Sequence, residues 1–275
     1  MSSDRAWTPA DPLSRIDTTV AHPARRYDYL LGGTANFPAD RESGDRILAA
    51  FPTARVAVLE NRRFLSRAVT HLAREVGIRQ LLDLGSGIPT SPNTHEVAQG
   101  IAPASRIVYV DNDPIVSAHS RALLSGAPEG STAYLEADLH EPEQILTHPE
   151  LRRTLDLSQP VALMLLSVLH FVPDSDDPPG LVTTLLDALA PGSYLVMTHV
   201  THDFMPPERV NANSRIAAAE AIYPRSRPQF EVFFDGLELV EPGIVPPSQW
   251  RDDAESRPRP DVRQIGGYAA VARTP

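Results

Sequence analysis

Five short apolar runs dominate the middle of the chain: RQLLDLGSG (79–87), RIVYVDND (106–113), STAYLEAD (131–138), PVALMLLS (160–167) and GSYLVMTHV (192–200). Each is apolar in a block rather than alternating, the pattern of a strand covered on both faces. Between them lie helical stretches, predicted at about Asn93–Gln99, Pro114–Leu124, Pro142–Leu151 and Pro179–Leu189. Strand–helix alternation of this kind predicts an α/β domain with a mostly parallel, doubly wound sheet. Asp113 before Pro114 reads as a helix cap with proline at the first helical position.

The two ends follow different rules. Residues 1–20 form a polar, proline-broken tail. From Pro23 the pattern becomes helical, and ARRYDYLL runs into Gly32-Gly33, a helix stop. A second helix is predicted over Ala39–Ala50 and a third over Thr53–Val76, ended by Gly77. In the third, Val58, Leu65, Val69, Leu72 and Val76 fall on one face. Residues 21–77 thus form a helical extension to a main domain over 78–275. After Val200 the alternation breaks into a helical insertion, Thr201–Phe234. The runs LELVEPGIV (237–245) and IGGYAAVART (265–274) then read as two strands, joined closely enough to pair antiparallel. About seven strands result, and Trp250–Arg263 is too polar and proline-rich to place.

Composition removes whole chemistries. The chain has no cysteine, and all 25 of its basic residues are arginine. Thiolate nucleophiles, disulfides, Cys-ligated metals, Schiff bases and phosphate-binding lysines are therefore excluded. The formal charge of −10 repels polyanions and disfavours nucleic acid as a partner. Arg62, Arg63 and Arg67 are the densest basic cluster, and they read as a solvated helix face. No apolar run of 18 residues occurs and the first residues are polar, so the expectation is a soluble cytoplasmic protein, away from membranes.

The strongest local signal is Asp83-Leu84-Gly85-Ser86-Gly87, a glycine turn after the first strand, where a cofactor can approach the backbone. A nicotinamide fingerprint fails here, because Pro89 lies in the turn and Thr90 takes the third glycine position. Asp111 ends the second strand 24 residues past Gly87, near the ~20 at which an acid accepts ribose hydroxyls. Asp138 follows the third strand, where it can accept from an adenine amine. Three acids at three successive strand ends favour a nucleoside-bearing cofactor.

DLGSG, VDNDP, ADLHEP and LLSVLHFVPD resemble the successive motifs of class I S-adenosylmethionine-dependent methyltransferases. HPARRYDYLLGGTANFPADRE, ENRRFL, LLDLGSGIPTSPNTHEVAQ and VYVDNDPIV resemble, more narrowly, an actinobacterial S-adenosyl methyltransferase family once catalogued as a domain of unknown function. The resemblance runs from about His22 to the C-terminus. It implies a Rossmann-like, seven-stranded sheet with a reversed last strand and S-adenosylmethionine at the strand ends. Asp83, Gly85 and Gly87 would contact its methionine part, Asp111 the ribose, and Asn112, Asp138 and Leu139 the adenine. Ser167 and His170 would lie beside the sulfonium. Arg26, Tyr27, Tyr29, Asn36 and Asp40 would form a lid, with Arg26 matching the methionine carboxylate.

Methyl transfer from a sulfonium needs positioning more than activation, and a base only if the acceptor loses a proton. His170 is the leading base, with His199 and His202 in reserve. HVTHD is too weak a pattern for a metal, and none is expected. A cytosine-C5 methyltransferase would need a cysteine. The expected activity is therefore O- or N-methylation of a small-molecule metabolite. The alternative is a non-catalytic S-adenosylmethionine sensor or partner protein. An enclosed acceptor cavity next to the sulfonium would favour the enzyme, and a plugged one the sensor.

Overall fold

The structure, a computed structural model, describes residues 16–123, 129–252 and 257–275. Residues 1–15 of the predicted tail, the predicted helix end Leu124, and 253–256 of the unplaced segment lie outside the described residues. The extension comprises α1 (Pro23–Leu31), α2 (Pro38–Ala50) and α3 (Ala54–His71), continued by a wider turn over Leu72–Val76. Gly32 and Gly77 close α1 and that turn in left-handed conformations, as their positions in the sequence predict.

The alternating region follows as β1 (Gln80–Leu84), α4 (Thr94–Ile101), β2 (Arg106–Asp111), α5 (Pro114–Leu123), β3 (Ser131–Glu136), α6 (Pro142–Thr147), α7 (Pro149–Thr154), β4 (Ala162–Leu166), α8 (Pro178–Asp187) and β5 (Tyr194–Val200). The C-terminal part holds α9 (Pro207–Ala219), α10 (Arg227–Glu231), β6 (Glu238–Leu239), α11 (Val262–Ile265) and β7 (Gly267–Arg273). One seven-stranded sheet results, in the order β3-β2-β1-β4-β5-β7-β6. β1 to β5 run parallel, and β7 lies antiparallel between β5 and β6. The reversed strand is thus the last in sequence but not the sheet's edge.

Apolar blocks became buried strands at the centre of the sheet, where every residue of β1 and β4 is buried. At the edge, β3 fully buries only Leu135, short of the two-faced cover expected of it. Leu82 and Leu84 enter one core layer with Leu163, Leu165 and Phe230. Leu81 enters the other, with Phe64, Leu65 and Val69 of α3. The predicted strand 237–245 is shorter than expected. Only Glu238–Leu239 pair as a strand, with an isolated bridge from Val245 to Ala269. Pro242 and Gly243 interrupt it, and proline has no N–H to give the ladder.

Candidate active site

β1 and β4 are neighbours, but their crossovers leave in opposite directions, so a crevice opens beyond their C-terminal ends. A cleft of about 300 Å³ lies there. Gly85 and Gly87 turn the chain at its floor with φ of +69° and +66°. A Cβ on Gly85 would lie 2.3 Å from Val168 Cγ2, so the turn packs against the β4 loop as only glycine permits. A Cβ on Gly87 would meet nothing and would stand in open space. Between them Ser86, also on the cleft wall, buries its hydroxyl without a hydrogen-bond partner.

Three acids line this cleft. Asp83 is buried and accepts from Thr94 Oγ1 at 2.7 Å. Burial pushes its carboxyl up to about 6, against the opposing pull of Thr94 and the Arg62 guanidinium. Asp111 accepts from the backbone N–H of Gly87 at 2.8 Å and of Asp113 at 3.0 Å, and burial raises its pKa too. Asp138 accepts from the His140 N–H at 2.9 Å and from Asn112 Nδ2 at 3.3 Å. Leu139, Asn112, Ser167 and Tyr27 complete the part of the wall predicted from sequence. Asp113 does cap α5, accepting from the Ile115 N–H at 2.9 Å while Arg25 Nε holds its other oxygen at 3.0 Å.

A second cavity, about 170 Å³, lies behind this wall. Tyr27, Asn61, Ser167 and Phe171 line both spaces. The partition is tied together by hydrogen bonds. Asn61 Nδ2 donates to the Tyr27 hydroxyl at 2.9 Å, and Thr198 Oγ1 donates to Asn61 Oδ1 at 2.7 Å. The Ser167 N–H donates to Thr198 Oγ1 at 2.9 Å. Ser167 has φ +55°, a left-handed conformation costing a non-glycine residue roughly 1 kcal/mol or more, and Thr198 helps hold it there. Leu30, Ile47 and Val58 of the extension and Ile216 and Ala217 of α9 make the second cavity's walls mainly apolar.

Several predicted site residues lie elsewhere. Arg26 faces the second cavity, not the first cleft, and its Nη1 bonds Ser43 and Glu220, each at 3.1 Å. The helix turns Tyr27 towards the cleft and its neighbour away. Asn36 is also a correction: its amide donates to Asp28 Oδ2 at 2.8 Å and Gly33 O at 3.0 Å, bracing the turn after α1. Asp40 caps α2 at Phe37, and Tyr29 bonds Asp45 at the surface. The helices of the extension thus roof the second cavity, while the start of α1 and the Asn61–Leu65 stretch of α3 also reach the cleft.

The histidines divide as well. His170 lines the second cavity, and burial, with the His199, Arg26 and Arg225 side chains, holds its pKa well below the usual range. A ring so hard to protonate is a weak proton acceptor. His199 faces Val200 O at 2.9 Å through Nδ1 and Arg225 Nη1 at 2.8 Å through Nε2, and burial lowers its pKa to about 3. Both nitrogens are committed, so it is structural. His202 lines the cavity, its Nδ1 3.4 Å from Ser214 Oγ. Asp203 is taken by the Arg227 N–H and the Tyr268 hydroxyl. No group of three potential metal ligands occurs among the described residues, and no helix among them is long and apolar enough to cross a membrane.

Sequence reasoning missed Ser86, Asn61 and Arg62. Arg62 is not simply solvated: it lines the cleft and binds the carbonyls of Thr90 and Pro92. The signal was present, since Asn61 and Arg62 interrupt the apolar stripe of α3 between Val58 and Leu65. A polar residue on a core-facing stripe needs a partner.

The cleft fits S-adenosylmethionine by its donor set. It offers a glycine turn with an unpartnered hydroxyl at one end and acids along the strand ends for amine and hydroxyl groups. Comparison with known proteins agrees. A DUF574 family protein from Streptomyces avermitilis has a crystal structure 51% identical in sequence, covering 95% of this chain and 100% of its own, with a TM-score of 0.90. A candidate methyltransferase from Thermobifida fusca is 42% identical over 94% of this chain and 96% of its own, with a TM-score of 0.85. Among curated proteins none matches significantly. Residues 9–275 match the S-adenosyl methyltransferase family, and with cleft, sheet order and relatives in agreement the chain belongs to that family, an S-adenosylmethionine-dependent methyltransferase.

Proposed function

We propose that this methyltransferase methylates an oxygen or nitrogen of a small, largely apolar metabolite by direct displacement. The observation that carries this reading is the apolar cavity sharing Tyr27, Asn61, Ser167 and Phe171 with the cofactor cleft. A cavity set against the reactive end of a cofactor is where an acceptor can approach in line. Its open volume of about 170 Å³ favours catalysis over a plugged sensor.

S-adenosylmethionine, when bound, supplies a methyl group on a sulfonium, already activated for displacement. The residues then act by position. Asp83 accepts from the cofactor's amine, and Ser86 with the Gly85–Gly87 turn meets its carboxylate. Asp111 accepts from the ribose, while Asn112, Asp138 and Leu139 frame the adenine. Tyr27 and Ser167 border the point where the two spaces meet. Arg26 and Asn36 drop out of this set. His170 is better suited to holding the acceptor than to removing its proton, because its environment opposes protonation.

The test is a methyl-transfer screen with radiolabelled S-adenosylmethionine against metabolite extracts of the source organism. Label is expected in a small, organic-extractable product. Label confined to macromolecules, or cofactor binding without transfer to any fraction, overturns the reading.

A further inference from the structure

Most of the acceptor cavity's wall is apolar, but two of the residues on it each carry a buried polar atom without a partner. Arg26 and His170 are each 5% exposed, and Arg26 Nη2 and His170 Nδ1 have no hydrogen-bond partner. Both residues line the cavity. A buried donor left unmet costs about 1–3 kcal/mol, and a ligand entering the cavity is placed to meet these.

Charge decides which ligand. Arg26 Nη1 pairs with Glu220 Oε2 at 3.1 Å, but Arg46 Nε also pairs with Glu220, at 2.5 Å. One carboxylate therefore answers two guanidiniums. Asp40 adds a weaker attraction to Arg26, but its oxygens already accept from the N–H groups of His22 and Phe37, with Arg25 at 3.9 Å. The Arg26 guanidinium lies over the Phe171 ring, 5.4 Å from its centroid, so it borders the partition facing the cofactor. Burial first, then the His199, Arg26 and Arg225 side chains, keep His170 neutral. A neutral imidazole still donates one N–H, and the positive surroundings that resist its protonation attract an anion.

We propose that the acceptor carries an anionic oxygen group, a carboxylate or an ionised phenol, on a mainly apolar frame, and that Arg26 and His170 receive that group. The inference rests on reading this cavity as the acceptor site.

Naphthoate and its neutral counterpart naphthamide test it, by calorimetry on the full chain saturated with S-adenosylhomocysteine. Naphthoate binds more tightly than naphthamide to the native protein. Arg26→Gln weakens naphthoate roughly tenfold or more and leaves naphthamide unchanged. Glu220→Gln, which breaks the same ion pair, tightens naphthoate instead. Opposite signs from two variants that lose one contact separate charge recognition from damage to the fold. Equal affinities for both probes, equal weakening of both by Arg26→Gln, or binding of neither overturns the inference. A neutral product from the methyl-transfer screen, formed at an undiminished rate by Arg26→Gln, would overturn it while leaving the methyltransferase reading intact. Charge-dependent naphthoate binding with no methylated product does the reverse.

Discussion

Asp83 carries two demands that conflict in the free protein. In the function proposed above it accepts from a cationic amine, yet burial raises its pKa from 3.8 to about 6. Keeping it ionised at neutral pH costs roughly 3 kcal/mol as an upper estimate. A carboxyl with a folded pKa above its unfolded value adds stability as pH falls from about 6 towards 4, and that stability is lost as pH rises through about 6. Cofactor binding reverses the balance, because the amine favours the ionised form. Calorimetry near pH 6 in buffers of different ionisation enthalpy should show proton release on S-adenosylhomocysteine binding, fading above pH 8. Asp83→Asn should abolish the release and weaken the ligand roughly tenfold to a hundredfold, with the ligand-free protein no less stable at pH 8. Release that persists in the variant assigns the proton to another group.

Among the elements, α1 and α3 both touch the two spaces, and three side chains fix α1 there. Tyr27 reaches the α3 carbonyl of Val58 at 3.2 Å, and Asn61 carries the connection on to Thr198 of β5. Asn61→Leu keeps the volume and deletes both amide bonds. It should cost about 1–3 kcal/mol and, more tellingly, speed amide exchange in α1 and in the Ser167 turn before the central strands. Unchanged exchange in α1 would mean that packing alone holds it. Sequence showed this element's existence and its glycine stop but not its direction. Helical periodicity places Arg26 and Tyr27 side by side, and only the neighbours above and below decide which faces the cofactor. The strand-end acids were legible for the converse reason: a parallel sheet puts every such residue at one edge, whatever the packing.

At the scale of the molecule, the least legible segment proves to close the structure. Sequence left Trp250–Arg263 unplaced, because its polarity and prolines suggest no element. Its described part instead wraps across α3. Trp250 is 0% exposed and meets Phe64 edge-on, with centroids 5.4 Å apart. Arg67 Nε donates to Trp250 O at 2.8 Å. Arg67, Arg257 and Arg259 surround the buried Asp252 at 3.6, 3.8 and 2.8 Å. Polar residues distant in sequence thus satisfy one another, a pairing that periodicity cannot reveal. The wrap presses α3, with Asn61 and Arg62, against the sheet, and Pro247, just before it, lines the proposed acceptor cavity. Trp250→Ala should therefore cost about 3–5 kcal/mol, read as a lower midpoint in chemical denaturation at unchanged slope. Because α3 supplies Asn61 to the partition and Arg62 to the cleft, affinity for S-adenosylhomocysteine should fall with it, and saturating ligand should recover part of the lost stability. A large stability loss with native affinity would show that the wrap braces the fold without shaping the site.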